Sequence, residues 1–242
     1  MFPGIPVVAY VNTNADTKSE VDVCCASGNA AKVVKWAMKQ WKTNKVIFLP
    51  DKFLAQNVAR DKGANIFFPN MDASPSHSRH ACPDCNVGNP ESIQINLPND
   101  GITLIGWEGK CEVHEKFTPQ DVVELRKDFP GIYLMAHPEC PPSVVEKVDF
   151  AGSTGAMIKK ISNPDIQDRP VAFFTECAMV EMLAAQHKNV VQACSIQKRC
   201  PHMAQNNLET VIAALENMQY EITVPEDIRQ KAELPIRRMI AI

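Results

Sequence analysis

Residues 132–155 have the sequence IYLMAHPECPPSVVEKVDFAGSTG. An apolar run ends at Ala136, and His137 and Glu139 follow at once, as expected of a buried strand that presents both side chains at its carboxyl end. Ligands bind just outside the carboxyl ends of parallel strands. The hydroxyl-rich turn at 152–155 precedes a helix-like segment, and the N–H groups of such a helix start suit a carboxylate or phosphate. The stretch therefore predicts a parallel α/β fold with an acid/base pair beside an anion site.

The same layout occurs earlier in the chain, at one constant offset and without a gap. A strand-like run ends at Ala9, Tyr10 falls at the position of His137, and Asn12 falls at that of Glu139. The layout predicts two α/β repeats with a site between them. Other pairs at this offset are Asp22 with Asp149, Ser27 with Thr154, Gly28 with Gly155 and Lys32 with Lys159.

Each repeat places a cysteine soon after its third apolar run. Cys111 follows Lys110, and Cys200 follows Arg199. Positive neighbours favour the thiolate, which is the form that binds metal. Equivalent positions in two repeats predict that both thiols face a common centre. The later strands are predicted at 45–49 and 102–107 in the first repeat, and at 170–174 and 190–194 in the second.

Residues 69–100 differ from the rest, because Pro, Asn, Ser and Asp crowd there without an apolar period. This composition predicts a long loop or insertion. The tail, 225–242, has an apolar face with no evident partner in the two repeats. The insertion contains Cys-x-x-Cys beside two histidines, which is the spacing of zinc ligands, but we favour a loop with incidental thiols; these residues are His77, His80, Cys82 and Cys85. Helices are predicted at 30–41, 53–60, 118–127, 156–161, 175–186 and 205–218.

The composition narrows the functional classes. A net charge of −3 gives no reason to expect binding to nucleic acid or to an anionic membrane. No apolar run reaches the roughly 20 residues that span a bilayer, and the first residues lack the pattern of a signal peptide. Nine cysteines, an odd number, do not fit a secreted disulfide framework. We therefore expect a cytoplasmic protein with reduced thiols.

Eight short motifs, taken together, resemble quinolinate synthase, the iron–sulfur enzyme family of NAD biosynthesis. They run in family order along nearly the whole chain: Tyr-Val-Asn-Thr (10–13), Cys-Cys-Ala-Ser-Gly-Asn-Ala (24–30), Phe-Leu-Pro-Asp-Lys (48–52), Gly-Lys-Cys-Glu-Val-His (109–114), His-Pro-Glu-Cys (137–140), Gly-Ser-Thr (152–154), Thr-Glu (175–176) and Cys-Pro-His-Met (200–203). Diphthamide radical enzymes and the terminal isoprenoid reductase share the architecture, but they explain the His-Pro-Glu-Cys and Tyr-Val-Asn-Thr pairing less well.

The resemblance implies a fold of pseudo-symmetric, three-layer α/β/α repeats with short parallel sheets, of which this chain has two of the family's three. Residues 1–117, with the insertion 69–100, correspond to the second domain, and residues 118–203 correspond to the third. Residues 204–242 form a C-terminal helical segment that would pack on the first domain. That domain is missing from the sequence, together with one cluster cysteine.

The resemblance also implies a function. In this family a 4Fe-4S cluster, held by one cysteine from each domain, acts as a Lewis acid while iminoaspartate condenses with dihydroxyacetone phosphate to quinolinate, with release of phosphate and water. Cys111 and Cys200 carry over as cluster ligands. L-aspartate oxidase is an expected partner.

The family's site residues also carry over. Glu139 would move protons, assisted by His137 and Tyr10. The remaining substrate-binding positions are Asn12, which would orient substrate, and Ser27, Ser153 and Thr154, which would hold carboxylates or phosphate. The alternatives are an inactive or split fragment of the enzyme, and a non-catalytic protein that binds a metal or a partner through the insertion.

Overall fold

The computed structural model describes residues 2–69, 101–191 and 198–242. The strands are β1 (Val7–Tyr10), β2 (Val23–Cys25), β3 (Lys45–Leu49), β4 (Asn65–Phe67), β5 (Thr103–Gly106), β6 (Tyr133–Ala136), β7 (Phe150–Ala151) and β8 (Val171–Phe174). The helices are α1 (Ala15–Ser19), α2 (Ala30–Gln40), α3 (Lys52–Lys62), α4 (Pro119–Asp128), α5 (Pro142–Val145), α6 (Thr154–Ile161), α7 (Cys177–Gln186), α8 (Leu208–Asn217) and α9 (Glu226–Ala241). The four residues of the proposed zinc motif lie outside the described residues.

Two parallel sheets form the centres of the two repeats. Their strand orders are β2-β1-β3-β5-β4 and β7-β6-β8. The registers agree across the repeats, since Val8 lies opposite Val23 in the first sheet and Met135 lies opposite Phe150 in the second. Both strands of the second pair are displaced along the chain by the offset that relates Tyr10 to His137. The predicted α/β class with short parallel sheets is therefore confirmed, and the register supports the gapless repeat.

One aspartate in each repeat links the first two strands through the same hydrogen bond. The Oδ2 atom of Asp22 accepts the N–H of Val7 at 2.8 Å, and the Oδ2 atom of Asp149 accepts the N–H of Leu134 at 2.8 Å. Donor and acceptor of the second hydrogen bond both follow those of the first at the same constant offset. The backbone and one side chain thus repeat together, although few residues are identical.

The second repeat is a three-layer unit. Successive residues of a strand point to opposite faces of its sheet. Accordingly, Leu134 packs in a cluster with residues of α4 and α5, while Met135 packs in a second cluster with residues of α6 and α7. Both faces of the short sheet are therefore covered by helices, which explains the continuous apolar runs of its strands.

Several short elements were not predicted from the sequence. Helices α1 and α5, five and four residues long, fall at equivalent places between the first and second strands of the two repeats. Strand β4 has three residues and forms one edge of the first sheet. The predicted strand at 190–194 is represented by a parallel bridge between Val190 and Val171, with residues 192–197 outside the description. Elements this short carry too few residues to show a hydrophobic period.

The expectation that the tail lacks a partner within the two repeats is wrong. Helix α9 packs against α1 and β2, and it buries Ala232 and Pro235. The Arg238 guanidinium donates to the carbonyl oxygen of Asp22 at 2.6 Å and lies over the ring of Trp41. The apolar period of the tail was correct, but a period does not say which surface covers it.

Helix α9 occupies in the first repeat the place that α4 occupies in the second. On α4, Arg126 contacts Asp149, and on α9, Arg238 contacts Asp22, the repeat equivalent of Asp149. Helix α4 packs on α5, while α9 packs on α1, which is equivalent to α5. The first repeat thus receives from the tail a helix that the second repeat has directly before its first strand.

Helix α8 is amphipathic as predicted, but it buries none of its residues against the described part of the chain. Leu208, Leu215 and Met218 are each at least 75% exposed. The packing of segment 204–242 on a further domain stays a prediction. Among the described residues, we find no helix with the length and apolar character needed to cross a bilayer.

Candidate active site

A cavity of about 900 Å³ opens where the carboxyl ends of strands from both repeats meet. The first repeat contributes residues after β1 and β5, and the second contributes residues after β6 and β8. This is the position at which parallel sheets bind ligands. Its wall includes Tyr10, Asn12, Asp51, Cys111, His114, Glu139, Glu176 and Cys200.

Two histidines from different repeats hold the Glu139 carboxylate. Its Oε2 atom lies 3.1 Å from Nδ1 of His114 and 3.3 Å from Nδ1 of His137. The two imidazole rings are stacked, with centroids 4.6 Å apart. His114 is fixed from its other side, since its Nε2 atom lies 3.2 Å from the hydroxyl oxygen of Thr175. All four residues are buried.

The histidines set the charge of Glu139. Burial alone would raise the pKa of this carboxyl, but the hydrogen bonds from His114 and His137 outweigh burial and bring the pKa to about 2. Burial lowers the pKa of His114, and its hydrogen bond to Glu139 only partly offsets that effect. At neutral pH the site therefore pairs an ionised carboxylate with a neutral His114 imidazole that donates a hydrogen bond to it.

Tyr10 and His137, which are repeat equivalents, meet through Ser27. The Ser27 hydroxyl oxygen lies 3.1 Å from Nε2 of His137. Burial raises the pKa of the Tyr10 phenol above its ordinary value, the nearby Glu139 charge raises it further, and the nearby Ser27 side chain lowers it only in part. Tyr10 is therefore a protonated phenol at neutral pH, in the field of an ionised carboxylate.

The small-residue turns of the two repeats face each other beside this network. A methyl group added to Gly28 would lie 2.9 Å from the hydroxyl oxygen of Ser153. Ser153 caps α6, because its hydroxyl accepts the N–H of Ala156, and Thr154 begins that helix with an exposed side chain. The backbone at Gly28, next to Ser27, thus closely approaches Ser153.

Cys111 and Cys200 lie on the wall of the same cavity. The residue after Cys111, Glu112, contacts His202, two residues after Cys200, with Oε1 and Nε2 3.0 Å apart. This contact brings the two cysteine loops together. Within the described residues, Cys111, His114 and Glu139 also form a group whose possible metal-ligand atoms lie within 4.8 Å of one another.

The expectation that basic neighbours favour both thiolates is not supported. The Lys110 ammonium pairs with Glu115 at 3.0 Å, and the Arg199 guanidinium pairs with Glu181. Burial raises the pKa of the Cys111 thiol to about 11. A bound metal would itself have to displace the proton from Cys111, as metals do when they bind cysteine.

The family model described as Quinolinate synthetase A protein matches residues 1–241 of the chain.

The chain belongs to the quinolinate synthetase A family.

Curated relatives agree with the family match. The chain is 38% identical over 241 residues to a quinolinate synthase of Caulobacter vibrioides strain NA1000, covering 99% of this chain and 54% of the relative. It is 36% identical to quinolinate synthase 2 of Mesorhizobium japonicum, covering 100% of this chain and 60% of the relative. The corresponding figures for a quinolinate synthase of Xylella fastidiosa strain 9a5c are 37%, 100% and 58%. The chain therefore spans between 54% and 60% of the length of these relatives.

For this member of the quinolinate synthetase A family, most of the residues expected from the sequence lie together. Four residues near the centre of the site were nevertheless not assigned a role. The signal for His114 was its position three residues after Cys111, which places both side chains on one turn. The signal for the other three was their place just after a strand that pairs with the first strand of its repeat; they are Asp51, Thr175 and Glu176.

Asn57, on α3, supports the loop that carries Glu139. It is buried, and its Nδ2 atom donates to the carbonyl oxygens of Pro138 and Cys140 at 2.7 and 3.0 Å. These carbonyls flank Glu139 on both sides. A side chain of the first repeat therefore holds the position of a site residue of the second repeat.

Asn57→Ala is expected to lower the free energy of unfolding by about 1–3 kcal/mol, because two buried carbonyl groups lose a donor. Hydrogen exchange in the peptide containing residues 137–140 is expected to accelerate. Asn189→Ala is the matched control, since Asn189 also donates to two carbonyls, those of Ile166 and Arg169. Urea unfolding and exchange mass spectrometry measure both effects. Equal acceleration at 137–140 in both variants would contradict the role of Asn57.

Proposed function

We propose that this chain provides the second and third domains of a quinolinate synthase. The complete enzyme would condense iminoaspartate with dihydroxyacetone phosphate to quinolinate, with release of phosphate and water. The observation that carries this proposal is the network around Glu139, in which a carboxylate, a phenol and the His114 imidazole line one cavity with two cysteines, and His137 holds the carboxylate from behind. Membership of the family supplies the reaction.

A 4Fe-4S cluster fits the donors on the cavity wall. Clusters of this kind are held by cysteine thiolates, and Cys111 and Cys200 face one cavity through loops that touch each other. The third cysteine would come from the family's first domain. When bound, the cluster would supply an iron that acts as a Lewis acid toward a substrate oxygen.

Glu139 and Tyr10 are suited to opposite proton transfers. Condensation requires a base that removes a proton from carbon and an acid that delivers one to oxygen. At neutral pH the low pKa keeps Glu139 ionised and the raised pKa keeps Tyr10 protonated, so each starts in the form that its transfer requires. Such a carboxylate is a weak base and such a phenol a weak acid, so bound substrate would have to bring both pKa values closer to neutrality. His137 lies within hydrogen-bond reach of both Glu139 and Ser27, so it can hold the orientation of this pair.

The remaining site residues would bind the substrates. Asn12 is exposed on the cavity wall, where its amide can bond a carboxylate or carbonyl. Ser153 caps α6 and the backbone next to Ser27 approaches it, so that Ser27, Ser153 and Thr154 would offer hydroxyl and N–H donors to a carboxylate or phosphate. Iminoaspartate would come from an enzyme that oxidises aspartate, and L-aspartate oxidase is the expected partner.

The test is to supply the rest of the enzyme. We expect no quinolinate formation from the present chain alone, assayed without oxygen after treatment with ferrous iron and sulfide. A chimera that joins the first domain of the Caulobacter vibrioides relative to this chain is expected to form quinolinate and to support growth of a strain that requires it. A chimera that holds iron and sulfide but forms no quinolinate would overturn the proposal.

A further inference from the structure

Two carboxylates at equivalent places in the repeats bind the backbone of the two cysteines. Asp51 lies two residues after the end of β3, and Glu176 lies two residues after the end of β8. The N–H of Cys111 donates to Oδ2 of Asp51 at 3.0 Å, and the N–H of Cys200 donates to Oε1 of Glu176 at 3.1 Å. Strands β3 and β8 hold the same position in their sheets, next to β1 and β6.

Each carboxylate uses its second oxygen to cap the helix that follows. Oδ1 of Asp51 accepts the N–H of Leu54 at 2.6 Å, at the start of α3. Oε2 of Glu176 accepts the N–H of Ala178 at 2.7 Å, at the start of α7. One side chain thus joins a strand end, a helix start and a cysteine loop. The caps of α4, α6 and α8 also accept an N–H group of their own helix, but the hydrogen bonds described for them do not extend to a cysteine loop; these caps are Thr118, Ser153 and Asn207.

The free-energy cost of burying two carboxylates indicates that these side chains do more than cap helices. Asp51 and Glu176 are only 4% and 8% exposed. A buried carboxylate is unfavourable unless hydrogen bonds compensate for the lost water. A serine would cap the helix equally well without placing a charge there. A carboxylate differs in that it offers two acceptor oxygens, and here the second oxygen reaches the cysteine loop.

The two repeats form this arrangement with different residue types and different sequence separations. The carboxylate is an aspartate in one repeat and a glutamate in the other. The cysteine follows its carboxylate at a separation of 60 in the first repeat and 24 in the second. The same hydrogen bonds form despite these differences. A negative group does not attract a thiolate, so the contribution of each carboxylate is to fix the backbone.

We infer that Asp51 and Glu176 are repeat-related positioning residues that set Cys111 and Cys200 at equivalent places on the cavity wall. The inference rests on the proposed function in one respect: the cluster proposed there is the ligand that both thiols would share. The hydrogen bonds themselves can be tested in the chain as it is, without a cluster and without activity.

The test compares backbone hydrogen exchange at Cys111 and Cys200 in the full chain. Asp51→Ser keeps a cap for α3 but is too short to reach Cys111, so exchange at Cys111 is expected to accelerate about 10-fold, as for loss of one buried hydrogen bond. Exchange at Cys200 should stay unchanged. Glu176→Ser is expected to give the reverse result, so that each variant is the control for the other.

Thr118→Ala is a further control, because the capping hydrogen bonds that it removes run between Thr118 and Asp121 and involve neither cysteine. Asp51→Asn, which is isosteric and keeps one acceptor, replaces Asp51→Ser if that variant fails to fold. In the complete chimera, Asp51→Ser and Glu176→Ser are each expected to lower the iron and sulfide retained per chain, while Thr118→Ala leaves both unchanged. The inference is overturned if each serine variant alters both cysteines, or neither, or if Thr118→Ala has the same effect. A chimera without iron would count against the proposed function but leave the exchange result intact.

Discussion

Replacing Cys111 or Cys200 with serine in the complete chimera is expected to abolish the cluster. A 4Fe-4S cluster normally has three or four cysteine ligands, and the chimera would supply three. Removing one leaves two, and a serine hydroxyl does not replace a thiolate as an iron ligand under ordinary conditions. The visible absorption of the cluster and the iron and sulfide content should each fall to near the level of the present chain alone.

The controls for this prediction are in the same chain. Cys82→Ser and Cys85→Ser remove the two cysteines of the insertion, and we expect each variant to keep its iron and sulfide. Cys140 is a poor control because it is fully buried in the core of the second repeat. If the insertion variants lost the cluster while Cys111→Ser kept it, the assignment of ligands and the repeat argument behind it would both fail.

Glu139→Gln is expected to reduce turnover by roughly 10²–10⁴-fold, the usual contribution of a general base. The amide has nearly the same shape as the carboxylate, but it cannot accept a proton at neutral pH. Because the pKa of Glu139 is about 2 in the folded protein, the wild-type side chain is ionised throughout the neutral range. The variant should therefore lose turnover across that range and not only at one end of it.

The iron content separates this effect from damage to the cluster. Glu139→Gln should retain the iron and sulfide of the parent chimera, measured on the same preparation as the turnover. Glu146→Gln is the matched control, since this nearby glutamate is exposed and pairs only weakly with Arg60, at 3.5 Å. Near-normal turnover in Glu139→Gln, or an equal loss in Glu146→Gln, would remove Glu139 from the mechanism.

The repeat explains how much of the site the sequence could predict. Tyr10 and His137, and Asp22 and Asp149, were paired by a constant offset because both copies kept their strand lengths. Residues after strands of a parallel sheet gather at one edge, so their proximity followed from the fold class.

The parts that could not be predicted depend on contacts between repeats. His114 meets Glu139 and Thr175 of the other repeat, and Asn57 meets the loop around Glu139. No periodicity within one repeat contains that information. The capping role of Asp51 was open to prediction, because aspartate is a preferred N-cap residue. Its bond to Cys111, far along the chain beyond the insertion, was not.

Helix α9 has a consequence for the order in which the chain folds. In the second repeat α4 lies directly before the sheet in the sequence. This repeat can therefore fold while it leaves the ribosome. The sheet of the first repeat is synthesised earlier than that of the second but lacks its matching helix until α9 emerges, since Arg238 lies 216 residues from Asp22. Until then β2 is an edge strand without the helix that packs on it, and such edges pair readily with other chains. The first repeat is therefore expected to depend on chaperones for longer than the second, and a cut before α9 would leave that edge exposed to aggregation.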